Sequence, residues 1–155
     1  VGELVTTILL LGFVPVLAYP AQPLFPRYRS RGREGQRELA FVFTGVGYTI
    51  AFLWALLAGV SPEIRTICAG YFFSALFLTL CNRVLHRRAS GHACSAAGPL
   101  LFLIYYFGWW MLLPSIVIGW LVAWASVALK RHTPTDLLWG ALCSAAGFAI
   151  AVLWF

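Results

Sequence analysis

The stretch 111-MLLPSIVIGWLVAWASVAL-129 decides the fold class, because nineteen consecutive positions carry no charged side chain and the one proline stands near the start. As a helix it would rise about 28 Å at ~1.5 Å per residue, close to the ~30 Å of a bilayer's hydrocarbon core. Outward from it the pattern repeats. On the C-terminal side 130-KRHTPTD-136 forms a polar joint, followed by a second apolar run at 137–155. On the N-terminal side Gly108-Trp109-Trp110, an uncharged turn with interfacial tryptophans, leads back to a run at 93–107. Earlier runs cover about 64–85, 39–60 and 1–18, the first expected to stop at Tyr19-Pro20 and the second at Ser61-Pro62-Glu63, where serine can cap and proline can begin a helix. The expectation is an all-α integral membrane bundle of six transmembrane helices, one domain over residues 1–155.

Composition agrees. With 61% hydrophobic residues, 10% charged residues and a mean hydropathy of +0.85, the chain has too much apolar surface for a soluble globular domain. No basic segment precedes the first apolar run, so no cleavable leader is expected there. Cys68, Cys81, Cys94 and Cys143 lie in apolar runs without ligand or Cys-x-x-Cys spacing, and read as packing residues. With six spans, the loops after spans one, three and five share a face, and they hold every lysine and arginine except Arg65. By the positive-inside rule that face is cytoplasmic, in a multi-pass protein of the plasma membrane. Arg27, Arg29, Arg31, Arg33 and Arg37 of the first loop, taken as 21–37, suit this topology signal and anionic lipid headgroups.

The three histidines fall on the same face. Ser90-Gly91-His92 stands just before the run at 93–107. Ser90 can cap that helix, and the free amides and positive dipole end of its first turn favour an anion, with Arg87 and Arg88 adding full charges. The same residues also fit a plain cap beside arginines that touch lipid headgroups. Thr133-Pro134 reads as N-cap and first helical residue, which puts His132 before the last helix and Asp136 in its first turn. There a carboxylate can fix one ring nitrogen and leave the other for chemistry, or simply complement the helix dipole beside an interfacial histidine. Asn82 and Arg83, near the end of the third span, can face a pocket. His86 reads as a reserve acid or as an interfacial residue.

The ordered pair Ser90-Gly91-His92 and His132-x-x-x-Asp136, separated by a helical hairpin, resembles the second and third motifs of the type 2 phosphatidic acid phosphatase family, membrane lipid phosphatases related to the vanadium haloperoxidases. The resemblance covers residues 82–155. Ala93, Ala97-Gly98-Pro99, Trp124 and Arg131-His132-Thr133 resemble a small branch in which the first two motifs are compacted. It implies a six-span phosphatase acting on a phosphomonoester or diphosphate headgroup, phosphatidate-like or prenyl diphosphate, without metal, cofactor or nucleic acid. His132 would attack phosphorus, Asp136 would hold its ring and His92 would protonate the leaving oxygen. Ser90, Gly91, Arg83, Arg87, Arg88 and Arg131 would meet the phosphoryl oxygens.

The chain departs from the family pattern twice. The first motif, a lysine, six residues and Arg-Pro, is absent. Where the third motif carries Ser-Arg before its histidine, this chain has Ala125-Ser126. A lost charge-assisted contact of that kind is worth about 3 to 4 kcal/mol of transition-state stabilisation. A catalytically silent lipid binder or scaffold therefore stands beside the hydrolase, as does a phosphotransferase using the same residues.

Overall fold

A computed structural model describes residues 1–155 and contains helices but no strand. The apolar helices are α1 (Gly2–Leu24), α2 (Gly32–Leu57), α3 (Pro62–Arg83), α4 (Gly91–Phe107), α5 (Leu112–Ala128, entered by a 3-10 turn at Trp109–Met111) and α6 (Pro134–Trp154). Five of the six, the fifth counted with its leading turn, are long and apolar enough to cross a bilayer. The shorter one is α4, whose 17 residues rise only about 25 Å. The chain divides into two compact units, Val1–Cys68 and Ala69–Phe155.

In the first unit α1 does not stop at Tyr19-Pro20 as expected; Pro20 lies inside the helix, which closes with a 3-10 turn at Gln22–Leu24. A proline removes one amide and presses on the preceding turn, but next to a helix end little has to yield. Earlier along α1, Leu9–Phe13 is π-helical just ahead of Pro15, a widened turn of the sort that accommodates a proline ring. The basic loop is shorter than expected, since α2 begins at Gly32 and takes in Arg33 and Arg37. Arg31 pairs with Glu34 and Glu38 across that start, and the Gln22 amide donates to the carbonyls of Tyr28 (3.0 Å) and Gly32 (2.7 Å), which orders the connection. Gly47 lets α2 lie directly on the Leu10 backbone, and Ala51, Ala55, Val60 and Cys68 fill the core beside Leu10, Leu11, Trp54 and Ile64.

The second unit is built on α3, α4 and α6, with small residues at each crossing. Gly147 meets Ser74, Gly70 meets Phe102, and Gly98 meets Ser144; Cys81 and Cys143 touch at 3.4 Å. Bulkier residues there would hold the backbones apart. These pairings make α3 antiparallel to α6 and α4 parallel to it. Helix α5 lies against α4, where Leu100 fits beside Gly119, and turns Leu113, Ile116, Trp120 and Trp124 outward, each more than half exposed. In water such a face would be unstable; in lipid it is ordinary.

Candidate functional site

Three chain ends converge at one end of the second unit. Helix α3 is closed by His86 in the left-handed region (φ 49°), with the Arg87 amide returning to the Cys81 carbonyl at 2.9 Å. From its last turns Asn82 holds the following segment twice, donating to the Ala89 carbonyl (3.2 Å) and accepting from the Ala89 amide (3.1 Å). This sets Ser90, which is completely buried. Its hydroxyl accepts from the Ala93 amide (3.3 Å) as the N-cap of α4, and its own amide donates to the Asp136 carbonyl at 2.8 Å. A main-chain bond thus joins the starts of α4 and α6. Gly140 makes room for it, because a Cβ there would collide with the Ser90 carbonyl.

Helix α6 begins with a capping box. The Thr133 hydroxyl accepts from the Asp136 amide (3.2 Å), and the Asp136 carboxylate accepts from the Thr133 amide (3.0 Å). The same oxygen of buried Asp136 lies 3.8 Å from His132 Nδ1 and 3.7 Å from Arg88 Nε. Thr133-Pro134 therefore starts the helix as the sequence predicts, and one carboxylate serves the cap, the histidine and an arginine together. At 3.8 Å it is a charge beside the ring rather than a formed hydrogen bond; such contacts tighten commonly when substrate binds.

His92 and His132 face one cavity of about 360 Å³, their ring centroids 5.7 Å apart. Its polar end is made by the two histidines and Arg131, with Ser95 and Ser126 at the sides; Ala96, Val122, Ala125 and Leu129 make its apolar wall. Arg131 is set there by the end of α5, a Schellman closure in which the Lys130 amide bonds Val127 O (2.9 Å), the Arg131 amide bonds Ser126 O (3.0 Å) and Lys130 takes φ 51°.

Of the predicted site residues, His92, His132 and Arg131 line the cavity and Asp136 stands behind His132. Arg88 turns to Asp136. Ser90 is a buried cap that lines no cavity, and Gly91 is exposed beside it. Arg83 and Arg87 are exposed and, like His86, lie outside the lining. Sequence reasoning passed over Ser95 as a lining residue, although it sits one turn beyond His92. Ser126 it noted only as a replacement for arginine. Compared with models of known protein families, with curated proteins and with solved structures, the chain finds no match.

Proposed function

We propose that the chain is a six-span lipid phosphate hydrolase of the plasma membrane, acting through a phosphohistidine. One observation carries the reading: two histidines from the starts of two parallel helices share a single cavity with Arg131. A headgroup phosphate between the rings would meet Arg131, the first-turn amides of α4 and the positive ends of both helices. With Nδ1 of His132 turned to Asp136, Nε2 is the atom that attacks, and the imidazolium charge is met by the carboxylate. His92, exposed on the opposite side of the cavity, gives a proton to the departing lipid oxygen. Water then cleaves the phosphohistidine, with His92 acting as base. The order of the motifs, resembling that of the type 2 phosphatidic acid phosphatases, supports the same assignment. Because α4 runs beside α6 in the same direction, it is read in this proposal as a sixth crossing despite its short length.

The test is phosphate release by detergent-purified protein from phosphatidate, phosphatidylglycerophosphate and prenyl diphosphates in the presence of EDTA. Release that persists with chelator and is lost in His132→Ala is the expected result; none from any of these lipids by folded protein would defeat the reading. Ser126, at the position where the family pattern has arginine, favours a second reading as a silent lipid-binding or scaffolding protein. That reading predicts binding of the same lipids without turnover.

A further inference from the structure

We infer that the lipid tail leaves the phosphate cavity sideways between α4 and α5, and that Ala96 and Ala125 make this exit wide enough for one slender chain. The inference rests on the reading that the cavity holds a phosphorylated lipid, though not on its hydrolysis.

The cavity is polarised along the two helices. Its basic end carries both histidines and Arg131, with Leu129 beside them; away from them the lining becomes Ala96 on α4 and Val122 and Ala125 on α5. Positions 92 and 96 lie one turn apart on α4, and 122 and 125 lie one turn apart on α5, so the apolar wall is a crevice between two facing helix surfaces. Going inward, the crevice ends where Leu100 packs within 3.6 Å of where a side chain on Gly119 would begin. From His92 to Leu100 is about 12 Å of helix at ~1.5 Å per residue. A membrane lipid's tail is longer than this, so it has to leave before that closure. The seam between α4 and α5 offers the shortest way out, because α5 is the outermost helix there, its far face being the exposed row of Leu113, Ile116, Trp120 and Trp124.

Width follows from the same residues. About 360 Å³ lies near the low end of the ~300 to 1,000 Å³ found for ligand pockets, and the headgroup takes part of it. The remainder, between two alanines on adjoining helices, fits the first segment of one chain. Two acyl chains diverging from a glycerol would need the helices to part. The favoured ligand is therefore a single-chain phosphate or diphosphate of prenyl or alkyl type.

The experiment uses farnesyl phosphate carrying a diazirine in the isoprene unit next to the phosphate, photolysed with the full chain in nanodiscs and mapped by mass spectrometry. Label is expected within residues 95–100 and on Val122, Ala125 and Ser126 of α5, displaced by unlabelled farnesyl phosphate at concentrations at least tenfold below those needed with phosphatidate. Ala125→Phe should lower labelling at least tenfold with thermal unfolding unchanged. Val122→Ala, which widens the crevice, should bring phosphatidate closer to farnesyl phosphate as a competitor. Label on α1, α2 or the outer face of α5, equal displacement by phosphatidate, or full labelling of folded Ala125→Phe would each overturn the proposal. Protein that labels as expected yet releases no phosphate would defeat the hydrolase reading and leave this one standing.

Discussion

The starts of α4 and α6 present the same parts in different order. In α4 the cap is Ser90, fully buried, and the histidine follows two residues later inside the first turn; in α6 the cap is exposed Thr133, and the histidine precedes it. One ring therefore rides on a helix, whereas the other sits on the connection from α5. The difference separates two demands on the site. The ring inside the helix is placed by the backbone and stays exposed, as suits a group that trades protons with a leaving oxygen and with water. The ring outside is buried, its side chain only 7% exposed, with a carboxylate 3.8 Å behind it, as the proposed nucleophile would need to keep one orientation.

The largest effect should come from dividing the two rings by chemistry. His132→Ala is expected to lower kcat by about a thousandfold or more on every substrate, because it removes the proposed nucleophile. His92→Ala should cost about 10²- to 10⁴-fold on an alkyl or prenyl monophosphate, and much less on an aryl phosphate whose leaving group needs no proton. Equal losses from the two variants across leaving groups would erase the distinction. Next is Gly140→Ala, whose new methyl would press on the Ser90 carbonyl and drive the helix starts apart. Overpacking of this kind typically costs about 1 to 3 kcal/mol, read by unfolding in mixed micelles, with kcat falling alongside.

Thr133→Ala deletes half of the capping box and should cost about 0.5 to 2 kcal/mol, with Thr133→Ser restoring most of it. Activity falling by more than that stability loss explains would show that the cap also aims Asp136 at His132. The smallest effect belongs to Lys130→Gly. Relief of the left-handed backbone at φ 51° should stabilise the α5 end by up to about 1 kcal/mol in the same unfolding assay, with the Arg131 position unchanged.

Much of this was legible in the residues, and the reasons differ from place to place. Long uncharged runs marked the helices because length and polarity alone set what a bilayer accepts. Thr133-Pro134 announced α6 because a cap followed by proline is a local signal. Pro20 misled, since a proline ends a helix only where the structure cannot absorb the lost amide, and here the helix was nearly finished. The start of α2 was hidden because arginines and glutamates read as loop until Arg31 is seen between Glu34 and Glu38. Arg88 looked like a phosphate ligand by its charge; only the fold shows Asp136 within 3.7 Å of it. The closure of α5 left no trace either, because a lysine stands where glycine would have marked the turn.

The bond from the Ser90 amide to the Asp136 carbonyl belongs to the main chain, and so it is common to nearly every sequence the gene could encode at those positions. Nineteen residue types at position 90 keep the donor; proline alone deletes it. A saturation library at this position should therefore show a graded response to side-chain size, set by the closed pocket around Ser90, with proline standing apart from the trend. In deuterated buffer the same amide should be among the last of its connection to exchange, since it is released only when the two helix starts separate.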